Sequence, residues 1–285
     1  MTNWVVMGEP STISVLVDGV PVWLRRGMKD WLRRVLFFHA VGSQPWKNLA
    51  LVREFDQRTQ REFPLGDTFE DLGFDDFERE IFDEHEEEDN VYIKFLDYLV
   101  FKLSSDNGND LSTLEKLLVQ SGSKWKVGTR LDAPGLEERV PEGVQLSADA
   151  AMARPGHAGE LLAEAWHAAF GVNPDHEKAY AKSIKAVEAA AIPAVSPRNS
   201  RATLGTVIAD MKHDANWALD ISREHSSSST QIVILGMAQA LWTGQNDRHA
   251  GQPSYTPSTQ SDAEAAVFLA VPLVQWFLSG AVARR

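Results

Sequence analysis

One stretch near the end of the sequence limits the possible folds more than any other. Residues 265–283 run for 19 residues without a charge, and two arginines follow at positions 284 and 285. About 20 helical residues suffice to cross the hydrocarbon layer of a membrane, so a tail anchor is one interpretation. The other interpretation is a buried central helix of a bundle. It is favoured by Pro272, by Gln275 and by a predominance of Ala and Val.

Apolar residues recur at helical spacing through the second half of the chain. The clearest stripe occupies positions 180, 184, 187 and 191. Similar periodicity predicts helices over 158–170, 179–191, 203–212, 231–243 and 261–279. Asn173 followed by Pro174 predicts the start of the second of these helices, as an N-cap and a first helical residue. Helices separated by polar loops predict a helical bundle after residue 147.

The first half mixes strand and helix signals. Two β-rich runs, 11–17 and 20–24, flank Asp18-Gly19 and predict a hairpin. Apolar residues at helical spacing predict helices over 28–38 and 90–103. This mixture predicts an α+β protein, in which a small mixed α/β N-terminal region precedes the all-α bundle.

Three shorter signals lie between these helices and the bundle. A capping box at Ser112 predicts a helix that ends at Val119. Short strands are expected at 124–128 and 139–145, around a turn-rich segment. The acidic run 83–89 contains potential metal ligands, but it lacks the alternating spacing of a calcium loop, and we interpret it as a solvated acidic turn.

Charge divides the chain unevenly. Residues 1–123 hold 13 basic and 23 acidic residues, a balance of −10, whereas residues 124–285 hold 15 and 17, a balance of −2. The first part therefore repels a phosphate backbone at long range, and the second has room for a local basic spot. Together with the helical pattern, this predicts an acidic N-terminal region over 1–123, a strand and turn connector over 124–157, and a bundle over 158–285.

The absence of cysteine excludes several kinds of chemistry. Without a thiol the chain has no disulfide, no thiolate zinc site and no cysteine nucleophile, which fits a cytoplasmic location. The first 25 residues lack a basic segment followed by an apolar run, so no signal peptide is predicted. We also expect no cofactor and no metal, because the sequence has neither a Gly-x-x-x-x-Gly-Lys phosphate loop nor a His-Glu-x-x-His zinc helix.

The densest run of functional side chains lies between the last two predicted helices. It contains Asn246, Asp247, Arg248 and His249. His249 is suited to move protons near neutral pH, Arg248 to offset phosphoryl charge, and Asn246 or Asp247 to orient an imidazole. The same residues also suit a purely structural turn, because His and Arg are favourable at the negative end of a helix dipole. Spacing alone leaves both interpretations open.

Four segments resemble a bacterial family defined by an abortive-infection-protein-like C-terminal region. They are residues 179–189 (AYAKSIKAVEA), 202–208 (ATLGTVI), 241–251 (LWTGQNDRHAG) and 261–277 (SDAEAAVFLAVPLVQWF). That region is similar to the HEPN superfamily of helical bundles, many of which form dimers and act as metal-independent ribonucleases in phage defence or toxin–antitoxin systems. The resemblance covers about residues 158–280.

The resemblance implies a ribonuclease that uses His249, with Arg248 and either Asn246 or Asp247 in support. It also implies a homodimer formed through the bundle, RNA as substrate, and a protein trigger or antitoxin at the N-terminal region, without a membrane. The chain departs from the family at one point: no arginine lies four to six residues before His249, and positions 242–245 hold Trp, Thr, Gly and Gln. The alternative is therefore a non-catalytic dimeric binding or regulatory module with a degenerate site.

Overall fold

The computed structural model describes most of the chain and divides it into two compact units. The described residues are 16–17, 21–38, 46–62, 64–71, 74–82, 91–103, 108–130, 133–214, 216–225, 227–245 and 256–285. The first unit comprises Met1–Arg139 and the second Val140–Arg285. Helices predominate in both, with three short antiparallel strand pairs in the described part of the chain, so the protein is a mostly helical α+β protein as predicted.

The first unit contains six helices and two strand pairs among its described residues. They are α1 (Val22–Leu36), β1 (Phe37–Phe38), β2 (Trp46–Lys47), α2 (Leu49–Thr59), α3 (Leu65–Asp71), α4 (Phe74–Phe82), α5 (Val91–Leu103), α6 (Gly108–Ser121), β3 (Trp125–Arg130) and β4 (Ala133–Glu138). β1 pairs with β2 and β3 with β4. Aromatic rings from α2, α3, α4 and α5 pack edge-on or tilted against one another in the core of this unit.

The predicted hairpin over 11–24 is wrong in its second strand. Val22–Leu24 begin α1 and Pro21 is its N-cap, whereas Val20, like residues 11–15, lies outside the described residues. Leu24, Met28 and Trp31 are buried on one face of α1, so this helical stripe outweighs the β-propensity of the valines. Val17 instead forms an isolated bridge with Ser123.

Two other boundaries differ from prediction. α6 begins at Gly108, so Ser112 lies inside the helix and caps nothing at its start. The partner of β3 is 133–138, and Glu142 onward is helical. In the sequence, Pro134 and Gly135 favour a turn, yet both lie in β4. Proline is tolerated there because a two-stranded ladder leaves one edge of each strand unpaired, and the missing N–H falls on such an edge. This strand pair lies in the first unit.

The second unit is built from six helices and one strand pair in its described part. They are α7 (Glu142–Met152), α8 (His157–Phe170), α9 (His176–Val195), α10 (Leu204–His213), β5 (Trp217–Leu219), α11 (Thr230–Thr243), α12 (Gln260–Ser279) and β6 (Val282–Arg284). The helices predicted from periodicity in this half are therefore confirmed. α9 starts two residues later than predicted, because Asp175, not Asn173, accepts the Lys178 N–H as its N-cap.

α12 is the helix that packs most widely in the second unit, against α7, α8, α9 and α11. Eight of its residues are buried. It packs against α9, and both helices bury small side chains: Ala179, Ser183, Ala186, Ala190, Ala263, Ala266 and Ala270. α12 is long and apolar enough to cross a membrane by length and composition, and a core helix passes the same test. Its packing supports the bundle interpretation of this run.

Candidate functional site

The C-terminal end of α11 is fixed by a buried tyrosine from α9. The Tyr180 hydroxyl donates to the Leu241 carbonyl oxygen at 3.2 Å, and Tyr180 is almost fully buried. Carbonyls in the last turn of a helix have no partner within the helix, so this bond satisfies one of them. The helix then closes on Gly244, whose N–H donates to the Ala240 carbonyl at 3.0 Å.

Two glycines allow this end of the bundle to pack closely. A Cβ atom at position 244 would lie far inside the 3.0 Å limit of real contacts with the Tyr180 hydroxyl. A Cβ atom at position 205, in the first turn of α10, would lie 2.8 Å from Cζ2 of Trp242. Gly205 and Gly244 therefore let α10 and α9 hold α11 by its last turn.

The start of α12 is fixed by a capping box. The Thr259 hydroxyl accepts from the Asp262 N–H at 3.2 Å, and the Asp262 carboxylate accepts from the Thr259 N–H at 2.9 Å. The Thr259 hydroxyl also donates to that carboxylate at 2.6 Å. These bonds, led by the one from the hydroxyl, hold the pKa of Asp262 below its ordinary value. The sequence contains this cap as Thr-x-x-Asp, but our sequence analysis did not identify it.

The predicted site residues lie between these two fixed helix ends. Asn246, Asp247, Arg248 and His249 belong to residues 246–255, which are outside the described residues, so no geometry is assigned to them. The described chain stops at Gln245, one residue after the α11 cap, and resumes at Thr256, close to the α12 cap. The caps of α11 and α12 thus flank the segment in the sequence.

Two further histidines lie in the hairpin between α8 and α9 and were missed by the sequence analysis. His167 is in the last turn of α8, and its ring packs against Gly171, where a Cβ atom would lie 2.7 Å from Nδ1. His176 begins α9, and its Nδ1 is buried without a hydrogen-bond partner in the described part of the chain. Both lie at helix ends, so a periodicity analysis counts them only as boundary residues.

Metal ligation has no support among the residues that the structure describes. No group of three or more His, Asp or Glu side chains in those residues is placed to hold an ion. The acidic run 83–89, interpreted from sequence as a solvated turn, lies outside them.

The described framework offers the C-terminus of α11 and the N-terminus of α12, which flank residues 246–255 in the sequence. A helix C-terminus carries a partial negative charge that favours cations, and a helix N-terminus carries a partial positive charge that favours an anion. Comparison with protein-family models, curated proteins and solved structures finds no match to this chain.

Proposed function

We propose that the second unit is a HEPN-like bundle that cleaves RNA without a metal, using the segment that contains His249. One observation carries the proposal: three of the four segments that resemble the family meet at one end of the bundle. Tyr180 from the first segment bonds to Leu241 of the third, and Gly205 from the second packs under Trp242 of the third. The polar run Asn246–His249 follows directly from this meeting point.

The proposed reaction is an internal transfer at phosphorus. The ribose 2′-oxygen forms a bond to the adjacent phosphorus as His249 accepts the hydroxyl proton, and the bond from phosphorus to the 5′-oxygen of the next nucleotide breaks. That oxygen receives a proton from an imidazolium, either the same His249 or the one of a second copy. The products are a 2′,3′-cyclic phosphate and a 5′-hydroxyl, and no metal enters the balance.

Arg248 and its neighbours have supporting roles in this proposal. The planar guanidinium of Arg248 offsets the charge that builds on the phosphorane oxygens, and it does so better than a point charge. Asn246 or Asp247 holds the His249 imidazole in the orientation and tautomer that the transfer needs. Histidine suits this task because its ordinary pKa, about 6.5, lets it both accept and release a proton near neutral pH.

The test compares cleavage rates of single-stranded RNA in the presence of a metal chelator. His249→Ala should lower the rate by about 10²–10⁴-fold, the usual contribution of a general acid or base. Arg248→Lys should retain more activity than Arg248→Ala. His225→Ala is the control, because His225 is exposed and, among the residues that the structure describes, its Nδ1 contacts only the Ser227 side chain and N–H. Wild-type protein that leaves RNA intact, or His249→Ala that cuts at the wild-type rate, contradicts the proposal.

A non-catalytic dimeric module is the second candidate, and two observations favour it. The family pattern requires an arginine four to six residues before His249, and this chain has none there. In addition, α11 contains no charged residue, yet it exposes Ile232 and Val233, at 56% and 46%. An uncharged exposed helix face is typical of a contact between proteins. A dimer in light scattering that Ile232→Glu dissociates, in a protein without RNA cleavage, would establish this candidate instead.

The biological setting proposed here is antiviral defence in the cytoplasm, with the first unit sensing a protein trigger or antitoxin. The first unit exposes Val22, Trp23 and Val119, at 72%, 70% and 53%, and an indole in that state is a common anchor for a protein partner. Plaque formation by phages on cells that express wild-type protein or Trp23→Ala tests this role. Equal plaque numbers with and without the wild-type protein would contradict it.

A further inference from the structure

The second unit carries a basic surface in a chain whose overall charge is strongly negative. Residues 176–203, which comprise α9 and the loop to α10, hold five Lys and Arg side chains against two Glu, a balance of +3, whereas the whole chain has a balance of −12. The five cations are Lys178, Lys182, Lys185, Arg198 and Arg201. We call this set the α9 basic surface.

Four of these cations are exposed and have no carboxylate partner. Lys182 pairs with Glu164 of α8. Lys178, Lys185, Arg198 and Arg201 are exposed and make no ion pair within the part of the chain that the structure describes. Lys178 and Lys185 stand seven residues apart, so they project from one face of α9 about 10 Å apart along its axis.

The loop before α10 is tied to the middle of α9. Glu188 accepts the Leu204 N–H at 2.7 Å. Arg201 lies three residues before Leu204, and Glu188 lies three residues after Lys185. The bond therefore joins the segment that carries Arg201 to the part of α9 that carries Lys185. The two carboxylates of the stretch, Glu177 and Glu188, are already included in the balance of +3.

The loop that carries the two arginines is ordered by its own hydrogen bonds. The Asn199 N–H donates to the Ser196 carbonyl at 3.0 Å, and the Ala202 N–H donates to the Asn199 carbonyl at 3.1 Å. The Ser196 hydroxyl donates to the Asp210 carboxylate at 2.5 Å, which ties the loop to α10. Cations on an ordered loop lose less entropy when they bind a ligand than cations on a mobile one.

We infer that the α9 basic surface binds the phosphate backbone of single-stranded RNA and leads it to the end of the bundle at which α11 ends. The inference rests on the proposed function, because Lys178 lies two residues before Tyr180, which joins α9 to the last turn of α11. Lys and Arg that contact phosphates supply affinity without reading sequence. RNA binding through this surface is therefore expected to depend on salt and to tolerate any base sequence.

The experiment measures binding of a mixed-sequence single-stranded RNA to full-length His249→Ala protein by fluorescence anisotropy at several salt concentrations. Adding Lys185→Glu and Arg201→Glu should weaken binding about tenfold or more near 0.1 M salt. It should also reduce the slope of log K against log salt by about 1.4, because each phosphate contact on a single strand contributes about 0.7. The charge-conserving substitutions Lys185→Arg and Arg201→Lys should preserve the slope.

The control reverses the same number of charges in the first unit. Arg26→Glu with Arg34→Glu changes two exposed arginines of α1 and should leave RNA affinity within about twofold, because these residues lie outside the proposed surface. Glutamine at 185 and 201 repeats the test without new negative charge, and circular dichroism checks that each variant is folded. Three results would each overturn the inference. They are wild-type RNA affinity in the 185/201 variants, an equal loss of affinity in the control, and no RNA binding by the parent protein.

Failure of this inference is distinguishable from failure of the proposed function. Cleavage by wild-type protein that is unchanged by the 185/201 substitutions would overturn the basic surface and leave the ribonuclease in place. Salt-dependent RNA binding through the surface, in a wild-type protein that never cleaves RNA, would overturn the ribonuclease and leave the surface in place.

Discussion

Two glycines, Gly236 within α11 and Gly244 at its C-cap, should respond oppositely to substitution by alanine. Gly236 has no atom within 4 Å of the position that a Cβ would occupy, so Gly236→Ala should stabilise the protein by about 0.5–1 kcal/mol through helix propensity. Gly244 has ordinary helical backbone angles, φ −73° and ψ −8°, and alanine would adopt them without strain. Its Cβ would nevertheless overlap the Tyr180 hydroxyl, and overpacking of this kind costs about 1–3 kcal/mol.

Removal of the Tyr180 hydroxyl should relieve the cost of Gly244→Ala. Tyr180→Phe alone should cost about 1 kcal/mol, because it deletes the bond to the Leu241 carbonyl. In that background the nearest remaining atoms to a Cβ at position 244 are the Ala240 carbonyl oxygen at 3.2 Å and the ring carbon Cζ at 3.4 Å, so Gly244→Ala should cost much less than in the wild type. The double-mutant cycle should therefore give a favourable coupling of about 1–3 kcal/mol between positions 180 and 244.

Urea titration of the full-length protein, followed by circular dichroism, gives the required midpoints for the wild type, the three single variants and the double variant. The reasoning is refuted if Gly244→Ala is as stable as Gly236→Ala. It is also refuted if Gly244→Ala costs as much in Tyr180→Phe protein as in the wild type. Either result would mean that α9 does not hold the end of α11.

Three further predictions test other parts of the fold. Asp56→Ala should cost about 1–3 kcal/mol in urea unfolding, because the buried carboxylate accepts two backbone N–H groups at the start of α3. Phe277→Ala should lower the urea midpoint more than Trp276→Ala, since only Phe277 is buried, and a deleted buried aromatic costs about 3–5 kcal/mol; equal midpoints would contradict this. The Thr230 hydroxyl and N–H lower the pKa of Glu224, so its stabilisation is present above the ordinary value of 4.5 and lost as pH falls through the depressed value. Melting temperatures should consequently fall more steeply below that pH in the wild type than in Glu224→Gln.

Helices of the second unit were predictable because their apolar residues keep a constant period. The stripe at 180, 184, 187 and 191 is buried in α9 over its whole length. The true ends of that helix were harder to predict. Asp175 outcompetes Asn173 as the N-cap, and Pro193 lies inside the helix, which ends at Val195. Caps depend on which side chain reaches a free N–H, and spacing in sequence does not determine that.

The first unit shows why strand signals mislead in a helical protein. Val22 and Trp23 have high β-propensity, yet both lie in the exposed first turn of α1. Propensity is a weak preference, and burial of the stripe that starts at Leu24 overrides it. The pairing of β5 with β6 was not predicted, because residues 217–219 and 282–284 meet only once the helices between them are packed.

The candidate site, like the fold, was only partly predictable from the sequence. The candidate run from Asn246 to His249 was identified from composition, because polar side chains of complementary chemistry are concentrated there. The contacts at the end of α11, directly before this run in the sequence, were not identified. Tyr180 was counted as one member of an apolar stripe, although a buried hydroxyl requires a hydrogen-bond partner, and that partner is the carbonyl of Leu241, 61 residues away.

The chemical nature of the RNA ends tests the central claim most directly. Full-length wild-type protein, incubated with single-stranded RNA and a metal chelator, is predicted to leave 2′,3′-cyclic phosphate and 5′-hydroxyl ends, and His249→Ala protein is predicted to leave the RNA intact. Mass spectrometry of the products distinguishes these ends from the 5′-phosphates of a metal-dependent nuclease. Intact RNA with wild-type protein, or the same cyclic ends from His249→Ala, would contradict the ribonuclease proposal and favour the binding module.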